Sequence, residues 1–183
     1  MRMTYRCFVL PLAVLGLAGC ARNPVTGARE FVMMTEAQEI ALGRESDEQV
    51  RNQLGLYDDE ELQQYVSEIG LQMAARSHRP DLPWSFAVVD SPAVNAFAIP
   101  GGYIYLTRGI MAFLGDEADL AGVLGHEIGH VTARHSVQAY TRASGAQLGL
   151  AVGSIFSPAA RAVGGAAQSG LGVLLLRYGR DAE

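Results

Sequence analysis

The sequence predicts an α+β domain in which two amphipathic helices precede a small three-stranded sheet and a long helix. Apolar residues recur at helical spacing as far as Met73, after which the period shortens to strand-like runs between residues 84 and 106. A helical pattern then resumes and holds to about residue 140. With 183 residues, 49% of them hydrophobic, the chain can bury one sizeable core, and nothing in the count demands a second folded unit. The formal charge is −5, with no lysine and with arginines scattered singly, so no basic stripe exists to neutralise phosphates. Nucleic acid is excluded as an expected partner.

The N-terminus carries a targeting pattern. Arg2 and Arg6 precede an apolar run over residues 7–17, too short to span a bilayer as a permanent helix. Leu17-Ala18-Gly19-Cys20 resembles the lipobox of bacterial lipoproteins, which implies that residues 1–19 are a signal peptide and that Cys20 is lipidated. An ordinary cleaved signal or a short anchor helix is the alternative. Removing residues 1–19 would take away two arginines and Cys7, leaving a more acidic chain with no free thiol. Ala21 after Cys20 favours the outer membrane by analogy with lipoprotein sorting.

Residues 20–34 hold Pro24 and Gly27 without a clean period and read as a lipid-anchored, extended tether that docks on the domain. Thr35 with Gln38 fits a capping box, starting a surface helix over residues 36–53. Asp58 with Glu61 repeats that pattern, and Leu62, Tyr65, Val66, Ile69 and Met73 give a second amphipathic helix that Pro80 stops. Strands are expected over residues 84–89, 95–99 and 103–106, with Pro100-Gly101-Gly102 as a turn. A short helix over 108–114 and a long one over 117–140, capped by Asp116, complete the pattern. Residues 144–176 are rich in Gly and Ala and broken by Pro158; they read as short packed helices or a flap, the alternative being a membrane hairpin. No solenoid repeat is visible.

His126-Glu127-Ile128-Gly129-His130 is an HExxH motif inside the predicted long helix. Residues four apart share a helix face, so both imidazoles can converge on one cation. Zinc accepts such nitrogens at roughly 2.0–2.1 Å. Glu127, beside the first histidine, can take a proton from an attacking water without entering the metal shell. A structural histidine pair on an exposed helix is the bland alternative, but Leu120, Val123 and Leu124 give the motif an apolar lead-in. His135 lies five residues past His130, well around an unbroken helix, and reads as a structural hydrogen-bonder rather than a ligand. His78, just before Pro80, reads as a surface residue.

The chain resembles the zinc metallopeptidases related to the CAAX prenyl protease, in their bacterial periplasmic lipoprotein branch. Four blocks carry the resemblance: Asn23-Pro24-Val25-Thr26-Gly27, the stretch 95–102 (NAFAIPGG), the HExxH motif with Val131 and Arg134-His135, and Tyr178-Gly179-Arg180-Asp181-Ala182-Glu183. It implies a zincin-like (gluzincin) fold, helical with a small three-stranded sheet over the active-site helix, and one zinc ion per chain. By the same resemblance Glu183 is the third metal ligand, and Asn95, Ala96, Phe97 and Ala98 border the substrate, where an extended peptide adds as a strand. Plain sheet core is the alternative for that segment, above all for Phe97 and Ile99. Gly179 stands where the family has Ser, and the family's Asp beyond the third ligand has no counterpart, so the domain over 35–183 is expected to be incomplete at its C-terminus.

The resemblance implies a periplasmic metalloendopeptidase, lipid-anchored to the outer membrane, that hydrolyses misfolded or stalled outer-membrane proteins. A non-proteolytic chaperone or assembly lipoprotein with a structural zinc site is the rival from another class, and a lipoprotein that merely binds zinc is a third. An intact Glu127 favours the enzyme, because a structural site needs no base beside its ligand.

Overall fold

The computed structural model describes residues 20–144. The signal segment 1–19, the Gly/Ala-rich stretch beyond residue 144 and the block 178–183 with Glu183 lie outside the described residues. What is described is a mixed domain of helices around a small three-stranded sheet, with an additional N-terminal hairpin.

Residues 20–34 dock on the domain as expected, with Asn23 bonded to Ala133 O and Val32 and Met34 packed on Val137, but as a hairpin rather than an extended stretch. β1 (Cys20–Arg22) pairs antiparallel with β2 (Arg29–Phe31), Cys20 opposite Phe31. The reversal is chemical: Asn23 Oδ1 accepts from the backbone N–H groups of Val25 (2.9 Å) and Thr26 (3.1 Å), an Asx turn. Gly27 at φ 68° completes it, and Asn23 N–H donates to Ala28 O at 2.8 Å.

Helix α1 (Glu36–Leu54) starts with the predicted capping box, since Thr35 Oγ1 accepts from Gln38 N–H and the Gln38 side chain accepts from Thr35 N–H. Helix α2 (Glu60–Ala74) is capped by Asp59 rather than Asp58, through Leu62 N–H at 3.0 Å. Starting at Glu60 turns Val66, Gly70 and Ala74 inward. Gly70 is required there, because a Cβ on it would lie 2.4 Å from the Phe86 ring.

β3 (Ser85–Val89), β4 (Ala96–Ile99) and β5 (Tyr103–Thr107) form a sheet of order β3-β5-β4, with β3 parallel and β4 antiparallel to β5. Its two faces alternate as a strand period requires. Phe86, Val88, Ala98, Ile104 and Leu106 pack with α2 and with α4 (Glu117–Thr132), the helix that carries the HExxH motif. Ala87, Val89, Ile99 and Tyr105 pack on the opposite face around Val50 of α1. The sheet is therefore sandwiched between helices. Gly101 (φ 83°) and Gly102 (φ 100°) make the β4–β5 turn, and Gly43 lets α1 approach it, since a Cβ there would meet Pro100 O at 2.0 Å.

Two helices end earlier than the sequence suggests. α3 (Arg108–Met111) is a single turn, and α4, capped by Asp116 as expected, stops at Thr132 instead of near residue 140. The chain breaks at residues 133–134, where Arg134 takes φ 58°, and is helical again over 135–144.

A buried ion network fixes that break. Glu39, 1% exposed, accepts two bonds from Arg79 (2.9 and 3.1 Å) and one from Arg134 Nε at 3.0 Å. Arg79 also donates to Val131 O at 3.2 Å, and Arg134 to Met34 O at 3.1 Å. Burial works against the Arg79 charge, but Glu39 and Glu36 more than offset it and hold its pKa above the usual value. Removing Glu39 would leave Arg134 without its carboxylate partner and Arg79 with only the more exposed Glu36 at 2.9 Å. Glu39→Ala is expected to cost about 3–5 kcal/mol in urea denaturation, the range for breaking a buried pair from one side; a loss below about 1 kcal/mol would put the network in the class of exposed pairs.

Candidate active site

α4 presents two faces. Leu120, Leu124, Ile128 and Val131 are buried in the main core. Gly122, His126 and Gly129 are exposed on the other side, and His130 is half-buried. The apolar lead-in thus orients the motif as its sequence suggests, with Glu127 buried beside His126.

The two imidazoles converge. His126 Nε2 and His130 Nε2 lie 3.0 Å apart, with ring planes 72° to one another. Two ligands of a tetrahedral zinc at roughly 2.0–2.1 Å would stand about 3.3 Å apart, so the pair fits two positions of such a shell with a small outward movement. Burial first, then the neighbouring His126 and His135, push the His130 pKa below the usual imidazole value. That favours the neutral ring, the form that offers a lone pair to a metal. Among the described residues, no group of three His, Cys, Asp or Glu side chains is gathered in ligating geometry. The candidate third ligand, Glu183, lies outside them.

Burial raises the Glu127 carboxyl above its usual range, with His126 pulling in the opposite direction. A carboxylate held out of water binds a proton more tightly, which suits a group that must accept one near neutral pH.

His135 occupies a place the sequence reading did not give it. On an unbroken helix it would point away from the metal face. The break at 133–134 instead returns it to His130, with the two Nδ1 atoms 2.8 Å apart. The break is anchored from outside the helix: Asn23 Nδ2 (3.2 Å) and Gln138 Nε2 (3.0 Å) both donate to Ala133 O. Sequence reasoning missed this link from the Asn23 turn to the end of α4. The signal available was Asn23 itself, a turn-forming residue followed by Pro24 and, four positions on, by Gly27. His78 is exposed, as expected.

Asn95, Ala96, Phe97 and Ala98 do not direct their side chains to one place. Ala96 and Ala98 pack toward α4, whereas Phe97 stacks on Tyr105 at 5.1 Å on the face covered by α1. Asn95 is exposed and accepts from Thr107 N–H at 3.1 Å. What the four share is the backbone of an edge strand. The Asn95–Thr107 bond sets the alternation, which turns the N–H and C=O groups of Phe97 and Ile99 toward β5 and those of Ala96 and Ala98 outward. Among the described residues no strand pairs with that outer edge.

The opposite edge is closed. Gln63 brackets Val88, accepting from its N–H (2.9 Å) and donating to its C=O (2.8 Å). Tyr57 N–H donates to the same carbonyl at 2.9 Å, and Leu56 bridges to Val89.

The sequence pattern of peptidase family M48 matches residues 60–182, more than half of the chain. Among curated proteins, the beta-barrel assembly-enhancing protease of Yersinia pestis is 34% identical over 116 residues, covering 63% of this chain and 24% of that protein. Its Escherichia coli K12 counterpart is 30% identical over the same shares. The mitochondrial metalloendopeptidase OMA1 of Schizosaccharomyces pombe is 40% identical over 93 residues, covering 50% of this chain and 28% of that protein. The chain spans about a quarter of the length of these relatives.

Proposed function

The chain belongs to peptidase family M48, and on that premise we propose that it is a zinc-dependent metalloendopeptidase with a zincin-like active site. The observation that carries the reading is the 3.0 Å convergence of His126 and His130 on the exposed face of α4, with the buried carboxyl of Glu127 between them in sequence. His126 and His130 would hold the ion, with Glu183 as third protein ligand. Bound zinc supplies Lewis acidity, polarising the scissile carbonyl and making the attacking water easier to deprotonate.

The protein's own groups do the rest. Glu127 takes the proton of the attacking water, and its burial strengthens it as a base; the same carboxyl then gives the proton to the leaving amine. Glu127→Gln keeps the shape and removes the base. It is expected to retain zinc while lowering kcat about 10²–10⁴-fold on an unfolded polypeptide substrate; wild-type turnover in the zinc-loaded variant would discard the mechanism.

The open edge of β4 supports a substrate bound in extended form, through the outward N–H and C=O groups of Ala96 and Ala98 and with Asn95 and Phe97 flanking them. Main-chain pairing is tolerant of sequence, which fits the cleavage of unfolded proteins. Ala96→Pro deletes an outward donor that makes no bond to β5. It is expected to lower kcat/KM about tenfold, chiefly through KM, with the circular dichroism spectrum unchanged; an unaltered KM would rule out strand addition at this edge.

The substrates we assign are envelope proteins, in particular misfolded or stalled outer-membrane proteins, in keeping with the name of the Yersinia and Escherichia relatives. Localisation is proposed as periplasmic, through lipidation of Cys20 at the outer membrane. No helix among the described residues is long and apolar enough to cross a membrane. Since Cys20 opens β1, an acyl group there would hold the hairpin at the bilayer surface. Cys20→Ala is expected to move the protein from the membrane to the soluble periplasmic fraction, and retention in the membrane pellet would refute this anchor.

A further inference from the structure

We propose that His135 is a positioning residue for His130, accepting a hydrogen bond at its Nδ1 from His130 Nδ1–H and thereby fixing the ring that presents Nε2 to the metal. The proposal rests on the metal-site reading given above. Its geometric basis is the 2.8 Å separation of the two Nδ1 atoms, on the ring edge of His130 remote from the Nε2 that faces His126. The His130 and His135 planes stand at 72°, with centroids 4.9 Å apart, so the contact is edge-on rather than stacked.

Tautomer chemistry sets the direction of the bond. A neutral His130 whose Nε2 lone pair points at a cation must carry its proton on Nδ1. His135 Nδ1 is then the acceptor and holds its own proton on Nε2. The opposite arrangement, with His135 donating, would put the His130 proton on Nε2, between the Nε2 atoms of His126 and His130, and block the site. His135 cannot itself ligate the same ion from this position, because it sits behind the ring of His130. Ligating histidines commonly donate their second ring N–H to a carboxylate, a carbonyl or water; here an imidazole takes that part.

The fold holds this imidazole firmly. Arg134 at φ 58° breaks the helix between α4 and the next helical stretch, and Glu39, Met34 O and Asn23 hold the break from the start of α1 and from the N-terminal hairpin. A continuous helix would have carried His135 to another face. The break therefore has a chemical result, a third histidine within hydrogen-bond reach of the second.

The test is zinc binding by the full chain, titrated against a competing chelator, together with thermal unfolding of the metal-free protein. His135→Ala is expected to weaken zinc binding about 10–100-fold, the range for removing an outer partner of a ligand. His135→Asn should recover most of that loss, because the Asn Oδ1, like the imidazole Nδ1, is bonded directly to Cγ and can accept from His130. The metal-free Tm should be the same in wild type and both variants. His126→Ala provides the separation: if it binds zinc like wild type, the metal-site reading fails, whereas if it loses zinc while His135→Ala does not, the positioning role alone falls. Should His135→Ala fail to fold, the 15N–15N coupling across the bond between the two Nδ1 atoms, measured by NMR on zinc-loaded wild type, decides the matter. Its presence is expected, and its absence overturns the proposal.

Discussion

Glu39 is a carboxylate taken almost wholly out of water in the first turn of a helix, and such a group persists only if cations come to it. Here two come, from segments far apart in sequence. Arg79 arrives from the loop after α2 and Arg134 from the break after α4, and each guanidinium carries a spare N–H to a backbone carbonyl, Val131 O and Met34 O respectively. One anion thus fixes the end of the motif-bearing helix against α1. The same α1 also sets the β4–β5 turn, because Gly43 lies against Pro100. The exposed face of α4 and the open edge of β4, the two parts of the candidate site, are both referenced to one helix.

The last turn of α4 shows how the break is sustained without the glycine that usually ends a helix. Orphan carbonyls at a helix terminus need donors. Val131 O is met by Arg79, Ala133 O by Asn23 and Gln138, and Gly129 O by Ala133 N–H and the Thr132 hydroxyl. Arg134 then adopts a backbone conformation that L-residues disfavour by roughly 1–2 kcal/mol. Its side chain offsets that cost with bonds to Glu39 and Met34 O. The strain and the ion network thus meet at one residue, Arg134.

This also explains which parts of the protein could be read from sequence. Local signals were legible: Thr35 with Gln38, Asp116, the glycines of the β4–β5 turn and the apolar periods all act within a few residues of themselves, and the elements they predict are present. The cap at Asp59 instead of Asp58 is a one-residue slip between two adjacent acids of equal capping power. The end of α4 was not legible, since no residue at 133–134 is a helix breaker and the determinants, Glu39, Asn23 and Met34, lie about a hundred positions upstream. His135 does make a hydrogen bond, as its sequence context suggests, but its face was misread for the same reason, because the helix does not continue. Asn23 to Gly27 reads as a tether only while the Asx turn is overlooked. The convergence of His126 and His130 was legible because spacing alone puts them on one helix face, and β4 because its residues follow a strand-like run up to the Pro100-Gly101-Gly102 turn.

The unequal treatment of the two sheet edges bears on how such a site can accept a polypeptide. An exposed edge is a liability, because it recruits any extended chain. β3 is sealed by a side chain that imitates a backbone: the Gln63 carboxamide offers Val88 one donor and one acceptor, as a neighbouring strand would. A residue on α2 can do this only because Gly70 lets that helix settle onto Phe86. At β4 no described residue performs the equivalent service, although α4 runs close by and packs on Ala98 through its apolar face. Among the described residues, polar contacts therefore close one edge, while no strand pairs with the edge next to the helix that bears His126 and His130. On the proposed function, recruitment of extended chain would be confined to the side of the sheet that carries the HExxH motif, and an unfolded substrate would satisfy that edge without any particular side chain.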